Sequence, residues 1–345
     1  MTRWAVILAG GVGSRFWPVS TPARPKQLLP LATDEPLLVD ALTRLAPLVP
    51  LERTLVLTNA GLVEAIAALA PGLPRENLIA EPRPAGTAAA LAWAAHVIER
   101  RGGGDAVMLS VHADWSIGDA EGFRCALVKA AEAAERHRAL VTVGVVPVRA
   151  DPGFGYIQPG EPLADGVRHV TSFVEKPDRA RAETMVREGY LWNSGIFVWR
   201  VEDFLHELRA HTPEVAPQLA AHGDDLEAFF GAITGGIAVD VGVLERSERV
   251  LVLPGNFGWD DVGTWAALRR VRTCDAAGNA LSGVVHALDA RGNVVHADGN
   301  AGVMYGVADL VVVTRKGLTL VTTVDKASDL KTLIQSLPAA LRDPA

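Results

Sequence analysis

Cysteine is almost missing from this 345-residue chain: Cys125 and Cys274 are the only two, and no CxxC pair exists. That excludes a disulfide scaffold and a zinc ribbon, and a reducing cytoplasm is the expected setting. Aromatic residues make up only 6% of the chain, and no apolar run reaches the length of a membrane span. The start of the chain lacks a basic segment followed by a long apolar stretch and a cleavage site, so no secretory leader is read there. Net basicity is lacking too. A formal charge of -7 argues against a general nucleic-acid binder. The nine histidines form no metal-ligand spacing, and no GxSxG or Cys–His pairing offers a nucleophile. What is present is 49% hydrophobic and 21% charged residues. That composition fits a folded protein with a sizeable core, long enough for one large domain and a smaller one.

A local absence is more informative. Between Met1 and Thr33 there is no Asp or Glu, but there are Arg3, Arg15, Arg24 and Lys26. In an acidic protein this is a positive island, which an anionic ligand needs if it is not to be repelled. Trp4 to Leu8 (WAVIL) reads as a buried strand. A loop follows with Gly10, Gly11 and Gly13, then Ser14 and Arg15. Glycines there let backbone N–H groups turn toward phosphates with no Cβ in the way. A nucleoside triphosphate suits this loop. Neither common phosphate loop matches: no glycine precedes Lys-Ser or Lys-Thr, and Phe16 stands where GxGxxG needs its third glycine.

Strand-like and helix-like segments then alternate. Strands are expected at Thr54–Thr58, Asn77–Ala80, Ala106–Val111 and Leu140–Val146. Helices are expected at Leu62–Ala70, Thr87–Arg101, with Thr87 as a cap, and Gly122–Arg136. Such alternation favours a mostly parallel sheet with helices on both faces and ligands at the carboxyl ends of its strands. From Asn279 onward short β runs broken by glycine replace this pattern and end in a helix at Ala327–Leu337. No clean six-residue repeat is seen among them.

The run GGxGSRFWPxS followed by PKQLLPL resembles the N-terminal signature of the sugar-phosphate nucleotidyltransferases. Its FWP and PKQ variants are most similar to those of the mannose-1-phosphate guanylyltransferases. The resemblance implies an α/β fold: a Rossmann-like nucleotidyltransferase domain with a mixed, mostly parallel sheet over 1–274. A small β-rich, left-handed β-helix-like domain would follow over 275–345. It implies transfer of GMP from GTP to mannose 1-phosphate, giving GDP-mannose and pyrophosphate, with Mg²⁺. It involves no nucleic acid or membrane, and a homodimer is compatible with it.

The resemblance implies the following roles by position. Arg15 and Lys26 hold the outer phosphates. Leu8, Gly10, Gly11, Gly13 and Ser14 line the nucleotide, with Glu81, Pro82, Gly86 and Thr87 around the base. Asp114, in SVHADW, and Asp261, in GWDDVGTW, match the two metal carboxylates, and Asp260 is read as structural. In FVEKP, Glu175 accepts from sugar hydroxyls and Lys176 neutralises the sugar phosphate. Asn193, in WNSGIFVW, and Asp240 complete the sugar-phosphate side. Gly86 stands where the guanylyltransferases usually carry Asn. Another nucleotide or sugar 1-phosphate therefore stays open, as does a non-catalytic sugar-nucleotide-binding subunit.

Overall fold

Short runs of β-branched and aliphatic residues supply the strands, and their pairing sorts the chain into two compact units. The computed structural model describes residues 1–11 and 14–342. The first unit comprises Met1–Gly10, Leu42–Ala113 and Asp119–Trp259, and the second Gly11–Ala41, Asp114–Gly118 and Asp260–Ala345.

The first unit contains β1 (Arg3–Leu8), β2 (Thr54–Asn59), β3 (Leu78–Glu81) and β4 (Val107–His112). The two-residue β5 (Ser116–Ile117) lies in the second unit. The first unit continues with β6 (Leu140–Val145), β7 (Tyr156–Pro162), β8 (Arg168–Val174), β9 (Leu191–Arg200) and β10 (Val250–Gly255). One nine-stranded sheet results, in the order β3-β2-β1-β4-β9-β6-β10-β8-β7. The sheet is mixed. β3, β2, β1 and β4 run parallel, as do β6 and β10. β9 enters antiparallel between β4 and β6, and β7 and β8 add further antiparallel pairings. The register sets Leu8 beside His112 and Asn59 beside Glu81, so the carboxyl ends of the parallel strands form one rim.

The helix Thr87–Gly102 packs on this sheet with Ala88 to Ala95 all buried. Its alanines let neighbours approach closely, and few side chains must be ordered to bury it. Trp199 stacks on Phe204 at 4.6 Å to continue the same core. The expected cap at Thr87 is corrected here. Gly86 is the cap residue, at φ +82, and Thr87 is the first helical residue. A Cβ on Gly86 would lie 2.3 Å from the Ile237 carbonyl oxygen, so chain crowding demands glycine there. The Thr87 hydroxyl instead accepts from the Val239 N–H at 2.9 Å.

β11 (Trp259–Asp260) leads toward the strands of the second unit: β12 (Ala280–Ser282), β13 (Val285–Leu288), β14 (Val294–Asp298), β15 (Gly302–Tyr305), β16 (Leu310–Arg315) and β17 (Leu318–Thr323). β12, β14 and β16 pair in parallel, β13 pairs in parallel with β15, and β17 folds back antiparallel on β16. The chain thus coils, alternating between two small sheets. An asparagine ladder joins successive turns. Asn279 Oδ1 accepts from both the backbone and the side-chain amide of Asn293, and Asn293 Oδ1 accepts from Leu310 N–H. The core of this unit joins Phe16, Trp17 and Leu29 to Trp265, Val294 and Val311. Phe16 meets Trp265 edge-on at 5.1 Å, and Trp265 Nε1 donates to the Trp17 carbonyl at 3.0 Å. No helix among the described residues is long and apolar enough to cross a membrane.

Asn279→Ala leaves the buried Asn293 backbone N–H without its side-chain acceptor and its side-chain amide with only the Val307 carbonyl. We expect a loss of about 3 kcal/mol, read as a lower urea midpoint at unchanged slope. A loss below about 0.5 kcal/mol would show that the ladder contributes little.

Candidate active site

Each unit gathers its own set of chemistry-bearing side chains. In the second unit the centre is Lys26, whose side chain is only 8% exposed. Its ammonium donates to Asp114 Oδ2 at 3.2 Å and to the backbone carbonyl of Asp261. A buried cation without such partners would be strongly destabilising. Asp114 and Asp261, far apart in sequence, are therefore brought to one lysine. Gly263 explains how the Asp261 carboxylate fits: a Cβ there would sit 2.5 Å from Asp261 Oδ2 and 3.4 Å from Arg15 Nη1. Arg15 consequently lies beside the same turn. Asp260 has its carboxylate held by Arg270 at 2.7 and 3.1 Å and accepts from Val262 N–H at 2.9 Å. Val262 itself sits at φ +46. Asp260 thus ties down the sharp turn that carries Asp261. Gln27 donates to the Gly11 carbonyl at 2.9 Å, anchoring the glycine loop to the PKQ segment. Gly13 and the side chain of Ser14 lie outside the described residues.

Among the described residues no group of three or more His, Cys, Asp or Glu could hold a metal by itself. Asp114 and Asp261 offer hard oxygen donors only. That suits a cation such as Mg²⁺, which takes one or two carboxylates and completes its shell with water and phosphate.

The first unit collects the other set. Leu8 ends β1, and its carbonyl accepts from Ala113 N–H at 2.9 Å. Glu81 ends β3, and a Cβ on Gly10 would lie 3.8 Å from Glu81 Oε1. Burial pushes the Glu81 carboxyl up from 4.5 to about 7. Pro82 is exposed beside it. Arg83 donates to the carbonyls of Phe230 and Ile233, at 3.3 and 2.7 Å, where the helix Leu226–Ala232 ends. This anchor for the 81–87 segment was not anticipated from sequence.

Across the sheet, Asn193 Nδ2 donates to Asp240 Oδ1 at 2.6 Å. Burial pushes the Asp240 carboxyl up, and the Asn193 hydrogen bond opposes it. Glu175 accepts from the Lys176 ammonium at 2.6 Å, and Lys176 adopts φ +45. Gly155 was also overlooked: a Cβ there would meet Glu175 Oε2 at 2.6 Å and Asn193 Cβ at 3.4 Å. Its place in the DPGFGY loop, with glycine on alternate residues, was the available signal. Glu175, Lys176, Asn193 and Asp240 thus form one neighbourhood; the Lys176 N–H donates to the Phe154 carbonyl at 3.2 Å, and the Phe154 ring meets Trp192 at 4.9 Å.

Residues 4–277 match the family described as nucleotidyl transferase. The chain belongs to the nucleotidyl transferase family. The mannose-1-phosphate guanylyltransferase of Klebsiella pneumoniae is 35% identical over 347 residues, covering 96% of this chain and 73% of that protein. The alginate biosynthesis protein AlgA of Pseudomonas aeruginosa is 34% identical, covering 97% and 72%. A crystal structure from Thermus thermophilus, described as a mannose-1-phosphate geranyltransferase, superposes with a TM-score of 0.88 at 37% identity. It covers 97% of this chain and 99% of its own. The mixed α/β fold with a strand-rich C-terminal region is the fold of that structure, and the chain is an enzyme of nucleotidyl transfer.

The raised Glu81 pKa has a sign that can be tested. The folded state holds this proton above pH 4.5 while the unfolded chain releases it. Its contribution to stability is therefore lost as pH rises from about 4.5 to about 7 and is flat above. Glu81→Gln should remove that part of the slope in urea midpoints measured across pH. A wild-type-minus-variant difference that is constant with pH would contradict the assignment.

Proposed function

We propose that this protein transfers GMP from GTP to mannose 1-phosphate, releasing pyrophosphate and forming GDP-mannose. The observation that carries the reading is Lys26, which gathers Asp114 and Asp261 beside Arg15. Near-full-length likeness to the Klebsiella guanylyltransferase supplies the choice of substrates. We further propose that 1–274 is the catalytic domain and 275–345 a small β-rich C-terminal one whose core is shared with Phe16, Trp17 and Leu29, and that the enzyme works in the cytoplasm. A homodimer is compatible with this reading.

In the proposed reaction a phosphate oxygen of mannose 1-phosphate attacks the α-phosphorus of GTP in line. The new P–O bond forms as the bond to the β-phosphate oxygen breaks, and pyrophosphate carries away the electron pair. Positioning and charge neutralisation supply most of the acceleration. Arg15 and Lys26 hold the β- and γ-phosphates. Asp114 and Asp261 hold the divalent cation, Mg²⁺ in this reading, which supplies positive charge at the reacting phosphates when bound. Gly10, Gly11 and the 81–87 segment take the nucleoside, with Leu8 at the strand end. Lys176 draws in the sugar phosphate, while Glu175, Asn193 and Asp240 orient the sugar. Burial pushes the Asp240 carboxyl up, and hydroxyl donors of a bound sugar would oppose that by favouring the charged form.

One observation favours a second reading in which the base differs. The crowding of Gly86 by Ile237 leaves no room for the Asn common in guanylyltransferases, so that side chain cannot read guanine. A panel of nucleoside triphosphates and sugar 1-phosphates, followed by pyrophosphate release, separates the two. We expect GTP with mannose 1-phosphate to give the highest kcat/KM. Faster turnover with another pair would overturn this choice of substrates, and no turnover with any pair would overturn the reaction proposed.

Asp261→Asn should lower kcat by about 10²-fold or more without unfolding the protein, the scale of losing one preorganised charge. Near-normal turnover at saturating Mg²⁺ would remove Asp261 from the mechanism. Glu175→Ala should act chiefly on the KM for the sugar phosphate, and an unchanged KM would move the sugar site elsewhere.

A further inference from the structure

The second unit carries a cavity of about 410 Å³ bounded by Arg24, Asp298, Asn300, Arg315 and Lys316. Three cations face one carboxylate. Asp298 Oδ2 lies 3.6 Å from Arg24 Nη1 and 3.9 Å from Arg315 Nε, too far to be a hydrogen bond with either. The Arg315 side chain is nonetheless only 12% exposed. One of its nitrogens, Nη1, donates to the carbonyls of Pro18 and Val19. Lys316 occupies the exposed turn between β16 and β17 at φ +45, followed by Gly317 at φ +81. Gly299, in the turn after β14, has φ +79. A Cβ added at either glycine meets nothing within 4 Å, so the mouth is open.

We propose that this cavity is a binding site for a small phosphate-bearing anion. A phosphoryl dianion matches the excess of cations, and guanidinium groups recognise its planar pairs of oxygens. His296 lies on β14 two residues before Asp298, and its pKa is pushed down to about 4. Burial is the main cause and Arg272 the next, with Arg24 and Arg315 adding to it against Asp298. With two guanidiniums and one ammonium around a single carboxylate, the cavity keeps an excess of positive charge. The cavity is also placed to matter. Arg315 is hydrogen-bonded to the segment that leaves the glycine loop, and Arg24 stands two residues before Lys26. An anion drawing on Arg24 and Arg315 competes with Asp298 and with the Pro18 and Val19 carbonyls. Occupancy is thereby coupled to the 18–26 stretch. The cavity would bind its anion whichever nucleotide or sugar the enzyme uses.

The test is calorimetric titration of the full chain with inorganic phosphate. Three variants accompany the wild type: Lys316→Glu, Asp298→Asn and Arg15→Ala. Lys316→Glu should weaken binding about fivefold or more, and Asp298→Asn should tighten it about threefold, on the scale of partly exposed ion pairs. Arg15→Ala should leave the binding unchanged, which separates this cavity from phosphate captured at the glycine loop. Binding that ignores Lys316 and Asp298 but is lost with Arg15 would overturn the proposal. So would the absence of binding at concentrations on the order of 10 mM. A hexose 6-phosphate titrated in parallel identifies the source of the anion. Tighter binding than inorganic phosphate, with the same response to the variants, assigns a phosphate ester, and weaker binding assigns the free anion.

Discussion

The second unit depends on one buried ammonium. Lys26 lies inside the protein, and its charge can stay there only because Asp114 and the Asp261 carbonyl accept from it. That requirement draws together three segments with no proximity in sequence. It also determines what surrounds them. The Asp261 backbone is committed to Lys26, so its carboxylate must leave the turn in a direction that only Gly263 permits. The turn is in turn pinned by the Arg270 grip on Asp260. A side chain chosen for catalysis alone would not need this scaffold. A lysine that is to hold phosphate in one state and carboxylate in another, as proposed for Lys26, does.

The first unit solves a different problem, the burial of acids. Glu81 and Asp240 both have carboxyl groups pushed upward by desolvation. Carboxyls in such places are costly unless donors arrive. Asn193 supplies one donor to Asp240. Nucleoside and sugar groups, rich in N–H and O–H donors, are the natural complement for the remainder. Glycine recurs where these groups crowd together. Gly155 makes room for Glu175 and Asn193, and Gly86 for the Ile237 backbone. In both places the absence of a side chain lets a functional group take its position.

Much of this was legible in the chain. The alternation of strands and helices and the shift to short β runs after Asn279 appear in the structure as elements of the expected type. Asp114 and Asp261 could be singled out by motif, but their meeting at Lys26 could not. A contact across such a separation leaves no periodic trace. Thr87 misled because a threonine before an alanine-rich helix is a common cap signal. The backbone of Ile237, far along the chain, displaced the cap to Gly86. Gly155 and Arg83 escaped notice for a similar reason: each serves a partner distant in sequence. The asparagine ladder is spaced by a whole coil, so a search for six-residue repeats passes over it.

The central claim is that Asp114 and Asp261 together hold the catalytic cation. A crystal of the protein grown with Mn²⁺ in place of Mg²⁺ and with GDP-mannose tests it most directly, through the anomalous signal of the metal. The expected result is a single peak within about 2.2 Å of carboxylate oxygens from both residues, with the sugar nucleotide's phosphates completing the shell. A peak coordinated by other side chains, or bound to the nucleotide with neither aspartate in reach, would contradict the account.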